Sequence, residues 1–600
     1  VQEHVAPPLV PPTTEGSLAD LPARNAASNP HAVAFARKED GRWVDVTARQ
    51  FNDDVRALAK GLVASGIRPG DRVAIMSKTR YEWTLTDFAI WTAGAVTVPI
   101  YETSSAEQVA WILSDSGAKA IMLETPSHEA GLAEVRDQLS GVEHVWQIDA
   151  GAIAELQAAG ASVSDEDLAG ATAGIDRSST ATIIYTSGTT GRPKGVQLTH
   201  DNFLALADNA ITKLKAVVQA DGASTLLFLP LAHVFARFIQ VLCVAGEAKM
   251  GHSADIKNLL DDFAAFRPTF ILSVPRVFEK IYNSAEAKAT SEGKGKIFAT
   301  AADTAIAWSS AQDTGGAGIG LRVRHALFDR LVYSKLRAAM GGQVMYAVSG
   351  GAPLGTRLGH FFRGIGVTVL EGYGLTETTA PATVNVPDRV KIGTVGAPLP
   401  GVGIRIADDG EILIRGNNVF AGYHNNDDAT SDAVRDGWFH TGDIGELDED
   451  GYLKITGRKK ELLVTAGGKN VAPAGLEDRL RAHPLVSQCI VVGDQKPFIA
   501  ALITLDAEMY PAWAKNNGID DVPFEKAATN EVVLAELQKA VDDANKSVSK
   551  AESIRKFAVL DGDFTEENGY LTPSLKLKRN IVMRDFQDQV EELYAGAPAT

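Results

Sequence analysis

The run Tyr185-Thr186-Ser187-Gly188-Thr189-Thr190-Gly191-Arg192-Pro193-Lys194-Gly195 constrains this chain more than any other stretch. It follows Ala181-Thr182-Ile183-Ile184, whose apolar, β-branched character reads as a buried strand. A strand that ends in glycines, hydroxyls and one lysine is suited to gripping an anion. Glycine lets backbone N–H groups turn toward it, Ser and Thr add donors, and Lys194 supplies charge. The ordinary nucleotide loop needs G-x-x-x-x-G-K-[ST]. Here Pro193 and Gly195 flank Lys194 instead, which disfavours a plain P-loop NTPase. A flexible linker would not need Pro193-Lys194-Gly195.

A chain of 600 residues allows several cores. Its net charge of −17, from 75 acidic and 58 basic residues, argues against bulk nucleic-acid binding. Both cysteines, Cys243 and Cys489, lie in apolar runs, with neither disulfide framework nor zinc spacing. That suits a reducing cytoplasm. The proline-rich start, Val1 to Pro12, does not read as a signal peptide, and no apolar run reaches membrane-spanning length. A peripheral contact with the inner face of a membrane stays open, as does a dimer.

Strand and helix patterns alternate from about Leu18. Phe51, Val55, Leu58, Leu62 and Val63 form a helical stripe; Val73–Met76, Val96–Ile100 and Ala120–Leu123 read as strands. The pattern returns after Ile183, with strands at Leu226–Leu229, Phe270–Ser273 and Gln343–Val348. Such alternation implies βαβ units and parallel sheet. Ala285 to Gly320, rich in Gly, Ala, Ser and Lys, reads as exposed helices or an excursion. From Gly393 to Tyr452, short strands with glycine turns suggest a small β-barrel. The expected fold is α/β, with doubly wound subdomains and the barrel in residues 1–456, a hinge at 457–460, and a mobile α+β domain at 461–600.

Five further segments carry chemistry. Leu370-Glu371-Gly372-Tyr373-Gly374-Leu375-Thr376-Glu377-Thr378 offers an aromatic face for a purine and a hard carboxylate for Mg²⁺. Ser349-Gly350-Gly351-Ala352-Pro353 would let backbone approach a flat ligand, or simply make a tight turn. His233, in Leu229-Pro230-Leu231-Ala232-His233-Val234-Phe235, is by itself equally a core or cap residue. Asp443, in Trp438-Phe439-His440-Thr441-Gly442-Asp443, is by itself most simply a turn residue. A basic run, Lys576-Leu577-Lys578-Arg579, closes the series.

In this order the segments resemble the adenylate-forming superfamily of acyl-CoA synthetases, luciferases and peptide-synthetase adenylation domains, from roughly Thr47 to Arg579. The stretch Ser273-Val274-Pro275-Arg276-Val277-Phe278-Glu279-Lys280, the long insertion to Gly342, and Thr465-Ala466-Gly467-Gly468-Lys469-Asn470-Val471-Ala472-Pro473 are similar to bacterial long-chain fatty acid–CoA ligases. The resemblance implies ATP, Mg²⁺ and coenzyme A as co-substrates of a fatty acid. It implies catalytic roles for Lys194, His233, Glu377 and Lys576. Nucleotide contacts would come from Thr186, Ser187, Gly188, Thr189, Thr190, Gly191, Gly350, Gly351, Ala352, Glu371, Gly372, Tyr373, Gly374, Thr376, Asp443 and Arg458. Thr189 and Glu377 would hold Mg²⁺, Lys460 would be the hinge, and Gly467, Gly468 and Lys469 would line the thiol channel. The family lysine most often follows a glycine; this chain has Leu575, and Lys578 is the rival of Lys576. A medium-chain or aromatic acyl-CoA ligase, a fatty acyl-AMP ligase feeding a carrier protein, and an inactive nucleotide or lipid binder are the competing readings.

Overall fold

The computed structural model describes residues 2–186 and 192–596. Three sheets make up the larger part of the molecule. The first has seven strands in the order Gly422–Tyr423, Lys194–Thr199, Thr180–Thr186, Val96–Ile100, Arg72–Met76, Ala120–Leu123, His144–Gln147. The last five are parallel, and the first two join antiparallel at one edge. A second sheet of nine strands has Thr368–Leu375, Tyr346–Ser349, Phe270–Ser273 and Ser224–Leu227 as consecutive parallel neighbours. The expected βαβ alternation is therefore present twice, with crossover helices covering the faces.

The expected small β unit is a six-stranded antiparallel sheet. It reaches past Tyr452 to include Leu453–Arg458, and it recruits the proline-rich N-terminus: Glu3–Val5 pairs with Val402–Ile406. After Arg458 a smaller α/β part is built on the strands Val486–Val492, Ile499–Leu505 and Ile554–Val559. Its core is separate, with Leu476, Leu480, Val491, Ile503 and Leu537 all buried. Between residues 285 and 342 the excursion is helical, comprising the end of Pro275–Ser291, then Gly295–Gln312, Ile319–Phe328 and their continuation.

One buried ion pair ties the two large sheets together. Asp87 lies on Tyr81–Thr92, the crossover helix of the seven-stranded sheet. Arg237 lies on Val234–Gly246, a crossover helix of the nine-stranded one. Both side chains are fully buried. Arg237 donates through Nε and Nη2 to the two Asp87 oxygens, each at 2.6 Å. Thr97 and Gln240 donate to the same carboxylate at 2.7 and 2.8 Å. The guanidinium sits between the rings of Trp83 and Trp91, 5.1 and 5.3 Å from their centroids. This is the planar, bidentate arrangement that suits arginine in a buried pair.

Removing one partner leaves the other charge buried alone, which costs about 3–5 kcal/mol, whereas replacing both by apolar groups is often neutral. Arg237→Met should therefore destabilise the large domain by about that amount. The double change Arg237→Met with Asp87→Leu should recover most of the loss in urea unfolding. A double mutant as weak as the single one would show that the pair does not act as a unit.

Candidate active site

Strand ends build the site. Lys194 opens the strand that returns from the glycine-rich run, and its register partner Thr186 closes the strand before it. Ser187, Gly188, Thr189, Thr190 and Gly191 lie outside the described residues. Lys194 Nζ stands 4.7 Å from the centroid of the Tyr423 ring. The Tyr423 hydroxyl donates to Glu377 Oε1 at 2.8 Å. One tyrosine thus sits between the lysine and the carboxylate expected to serve phosphate and Mg²⁺. Mg²⁺ is commonly held by one or two carboxylates plus substrate phosphates and water. The Glu377 carboxylate, with only Oε1 engaged by Tyr423, fits that use.

Glu377 sits in the short 3₁₀ turn Thr376–Thr378, followed by Thr379 and Ala380 at φ of 59° and 75°. Left-handed backbone at two non-glycine residues is strained, and strain of this kind persists where surrounding contacts hold it. Here the Thr379 hydroxyl donates to Asn418 O at 2.7 Å, and Asn418 Nδ2 donates to Thr378 O at 3.2 Å. Gly374 is required beside them, because a Cβ there would lie 1.6 Å from the carbonyl oxygen of Ala380.

Asp443 is buried, and its role is set by a strand pair. Asp443 and Arg458 are register partners on the antiparallel strands Trp438–Leu447 and Leu453–Arg458. Arg458 Nε donates to Asp443 Oδ1 at 3.1 Å, and the Tyr373 hydroxyl donates to Oδ2 at 2.5 Å. Three residues read from separate motifs therefore form one cluster. Burial, with the negative charge of Asp443 next, pushes the Tyr373 phenol well above its ordinary range. Tyr373 thus stays a neutral donor.

Glu371 points elsewhere. Its carboxylate accepts from the Leu354 N–H at 2.9 Å, fastening the loop that carries Gly350, Gly351 and Ala352. Burial raises its pKa to about 7. Gly350 is packed so closely that a Cβ would meet the Phe235 ring at 3.0 Å, and Gly351 adopts φ of 87°. Gly372 lies on the strand Thr368–Leu375, opposite Val384.

His233 is a helix cap, and it also lies within electrostatic reach of Lys576. Its Nδ1 accepts from the Phe235 N–H at 3.2 Å, which caps the helix Val234–Gly246 and leaves the ring proton on Nε2. Burial, and then the nearby charge of Lys576, lowers its pKa to about 3. The imidazole is neutral at pH 7.

Lys576 comes from the smaller part of the chain, yet it lies within electrostatic reach of His233, Glu377 and Asp443 in the larger part, with Arg458 and Glu461 also close. Its side chain keeps water-accessible surface. Protein around the ammonium, and next Arg458, lower its pKa below the usual lysine value. The turn that carries it is closed by Lys576 N–H to Thr572 Oγ1 at 3.0 Å and Thr572 N–H to Lys576 O at 2.8 Å. Leu575 there has φ of 62°, the left-handed region that favours glycine. The rival Lys578 instead precedes the helix Arg579–Asp585, its N–H bonded to Tyr570 O at 2.8 Å.

Gly467, Gly468 and Lys469 are not brought to this centre. They form an exposed turn between Leu463–Val464 and Asn470–Val471, closed by Lys469 N–H to Thr465 Oγ1 at 3.1 Å. Lys460 is exposed in the 3₁₀ turn Lys459–Glu461, directly after the last strand of the six-stranded sheet.

Arg276 is a positioning residue that sequence reasoning quoted without giving it a task. From the helix Pro275–Ser291 it reaches across to the smaller part, donating to Arg481 O at 2.7 Å, Val486 O at 3.1 Å and Asp506 Oδ2 at 2.9 Å. Asn283 joins it by donating to Ala482 O at 3.2 Å. Behind it, burial raises Glu279 to about 7 despite the opposing charge of Arg276. Arginine in a motif names a charge; only the tertiary fold shows which carbonyls it meets.

A two-part α/β molecule whose smaller part places a lysine beside an aspartate–arginine–tyrosine cluster and a tyrosine-bridged lysine and glutamate has the design of an adenylate-forming enzyme. The chain belongs to the AMP-binding enzyme family: residues 22–424 match its enzyme domain and residues 460–598 its C-terminal domain. It is 52% identical over 582 residues to long-chain-fatty-acid–CoA ligase FadD15 of Mycobacterium tuberculosis, covering 96% of this chain and 97% of that protein. Against long-chain-fatty-acid–CoA ligase 1 of Cavia porcellus the identity is 30%, over 95% of this chain and 85% of that one. Among solved structures, an anthranilate CoA ligase, AuaEII, in complex with anthranoyl-AMP superposes with a TM-score of 0.71 at 19% identity, covering 96% and 98% of the two chains. ATP-bound MatB from Rhodopseudomonas palustris gives 0.68 at 24%, covering 95% and 99%. These two likenesses speak to the fold.

Arg276→Ala removes three bonds between the two parts. Trypsin should then cut the Arg458-Lys459-Lys460 segment several-fold faster, since local opening governs cleavage, with circular dichroism unchanged. An unaltered cleavage rate would mean that the parts stay docked without Arg276.

Proposed function

We propose that the protein activates a long-chain fatty acid with ATP and transfers it to coenzyme A. The observation that carries this reading is the convergence of Lys576 with His233, Glu377 and Asp443. It puts a cation from one part of the molecule over the polar cleft of the other. The first step joins the acid carboxylate to the α-phosphate and releases pyrophosphate. Two anions must meet, so the barrier is electrostatic, and preorganised cations lower it. Lys576 serves the α-phosphate and Lys194 the leaving phosphates. Glu377 with Thr189 would hold the Mg²⁺ of the nucleotide, which would neutralise phosphate charge.

Asp443 accepts from the ribose hydroxyls, steadied by Tyr373 and Arg458. Gly350, Gly351 and Ala352 flank the adenine, with Glu371 positioning their loop. Neutral His233 offers Nε2–H to the acid carboxylate; a protonated ring would repel Lys576. The product is a mixed anhydride. In the second step the coenzyme A thiolate attacks its carbonyl and AMP leaves. Lys576 then has no task, and the Gly467-Gly468-Lys469 turn would take its place by rotation about Lys460, a hinge motion. A cytoplasmic setting supplies ATP and coenzyme A.

Lys576→Ala should lower adenylate formation about 10²–10³-fold, the usual cost of one such contact. Thioester formation from supplied acyl-adenylate should persist. Gly467→Leu should do the reverse. Equal loss of both half-reactions in both variants would remove the two-pose mechanism.

The pH dependence follows from the sign of the Lys576 shift. Its pKa is lowered, so the charged form is lost as pH rises through a value below the ordinary 10.5. The kcat/KM for adenylate formation should fall on that alkaline limb, and Lys576→Arg should move the limb upward. A limb in the same place for Lys576→Arg would assign it to another group.

A further inference from the structure

The helix Ile319–Phe328 continues through Asp329–Tyr333 into Ser334–Ala339. Its inner side is fastened to the core. His325 Nε2 donates to Gly364 O at 2.6 Å, and its ring stacks on Trp308 at 4.4 Å between centroids. Phe328 and Tyr333 are buried, and the Tyr333 hydroxyl donates to Ala301 O at 2.6 Å.

The outer side has no such cover. Ile319, Val323, Leu327 and Leu331 are 82, 66, 55 and 49% exposed. They recur every fourth residue, the spacing of a helical stripe. Single exposed aliphatic residues are ordinary, but an aligned row marks a contact surface. Charge identifies what it contacts. Arg322, Arg324, Arg330 and Lys335 are exposed along the same helical run, and among the described residues none of the four forms an ion pair. From 319 to 337 there are five basic residues and one acidic residue, Asp329, which is already paired with Arg337 at 2.7 Å. This local excess of cations stands in a chain of net charge −17. An apolar row flanked by free arginines fits shallow insertion among acyl chains, with guanidinium groups at the headgroup phosphates. A second copy would oppose the row with the same positive charge.

We propose that the outer face of Ile319–Phe328, with its continuation to Lys335, docks the protein on an anionic lipid bilayer. Docking itself needs no turnover. Its use, presenting membrane-dissolved acid to the enzyme, rests on the fatty acid reading above.

The test is flotation of the full chain with vesicles of phosphatidylglycerol and phosphatidylcholine, or of phosphatidylcholine alone. The wild type should float with the anionic vesicles and release as salt rises. Each basic residue near an anionic surface contributes on the order of fivefold to partition, so Arg322→Glu with Arg324→Glu should lower it at least tenfold. Val323→Asp with Leu327→Asp should do the same, as should the milder Val323→Asn with Leu327→Gln if the first pair fails to fold. All variants should activate octanoate, a water-soluble acid, at the wild-type rate. A wild type that stays out of anionic vesicles, or apolar-row variants that float as well as it does, would overturn the proposal. So would a lipid-free dimer, seen by sedimentation, that only the row variants lose. Absence of octanoate turnover in the wild type would count against the catalytic reading, while flotation still decides the docking.

Discussion

The Asp87–Arg237 pair fixes the geometry on which the cleft depends. Its two helices belong to different sheets, and the bidentate bond lets neither slide along the other. Arg237 lies one turn into the helix that His233 caps, and its N–H bonds back to His233 O at 3.1 Å. Burying two charges is costly, and an apolar pair could be as stable. What the ion pair adds is register. It locks the helix that His233 caps against the crossover helix of the other sheet.

The cleft is then a problem in placing charges of both signs without letting them collapse. Glu377 and Lys194 do not pair directly; Tyr423 stands between them, donating to one and offering its ring face to the other. Asp443 is engaged by Arg458 and Tyr373 across a strand pair. Lys576 enters a region where Arg458 already lowers its pKa, and where a neutral histidine adds no further repulsion. Lys576 and Arg458 therefore oppose each other electrostatically, and an anion bound beside them would relieve that repulsion.

Much of this was legible locally. Val96–Ile100, Ala120–Leu123 and Phe270–Ser273 stand as read, because short apolar runs bounded by turns have one common use in an α/β chain. Less legible were contacts between distant segments. Glu3–Val5 lacks strand character of its own and is a strand only because Val402–Ile406 offers an edge. Asp443 by itself reads as a turn residue, and that it is the register partner of Arg458 is visible only in the fold. Arg276 stood in a family-like stretch with no contact assigned, and its task is set by two carbonyls and a carboxylate of the smaller part. The residues expected to line the thiol channel lie in an exposed turn between two short strands instead.

Leu575 shows how the turn that carries Lys576 is held. The turn needs left-handed backbone, and a non-glycine residue there costs of order 1–3 kcal/mol. The strain is opposed by paired bonds between Thr572 and Lys576 and by the bridge of Leu571 to Leu577. Glycine would adopt the turn without strain but with more conformational freedom. A leucine restricts the turn to fewer conformations and so narrows the positions open to Lys576. The departure from the common glycine thus trades stability in the turn for preorganisation of the backbone that carries this lysine.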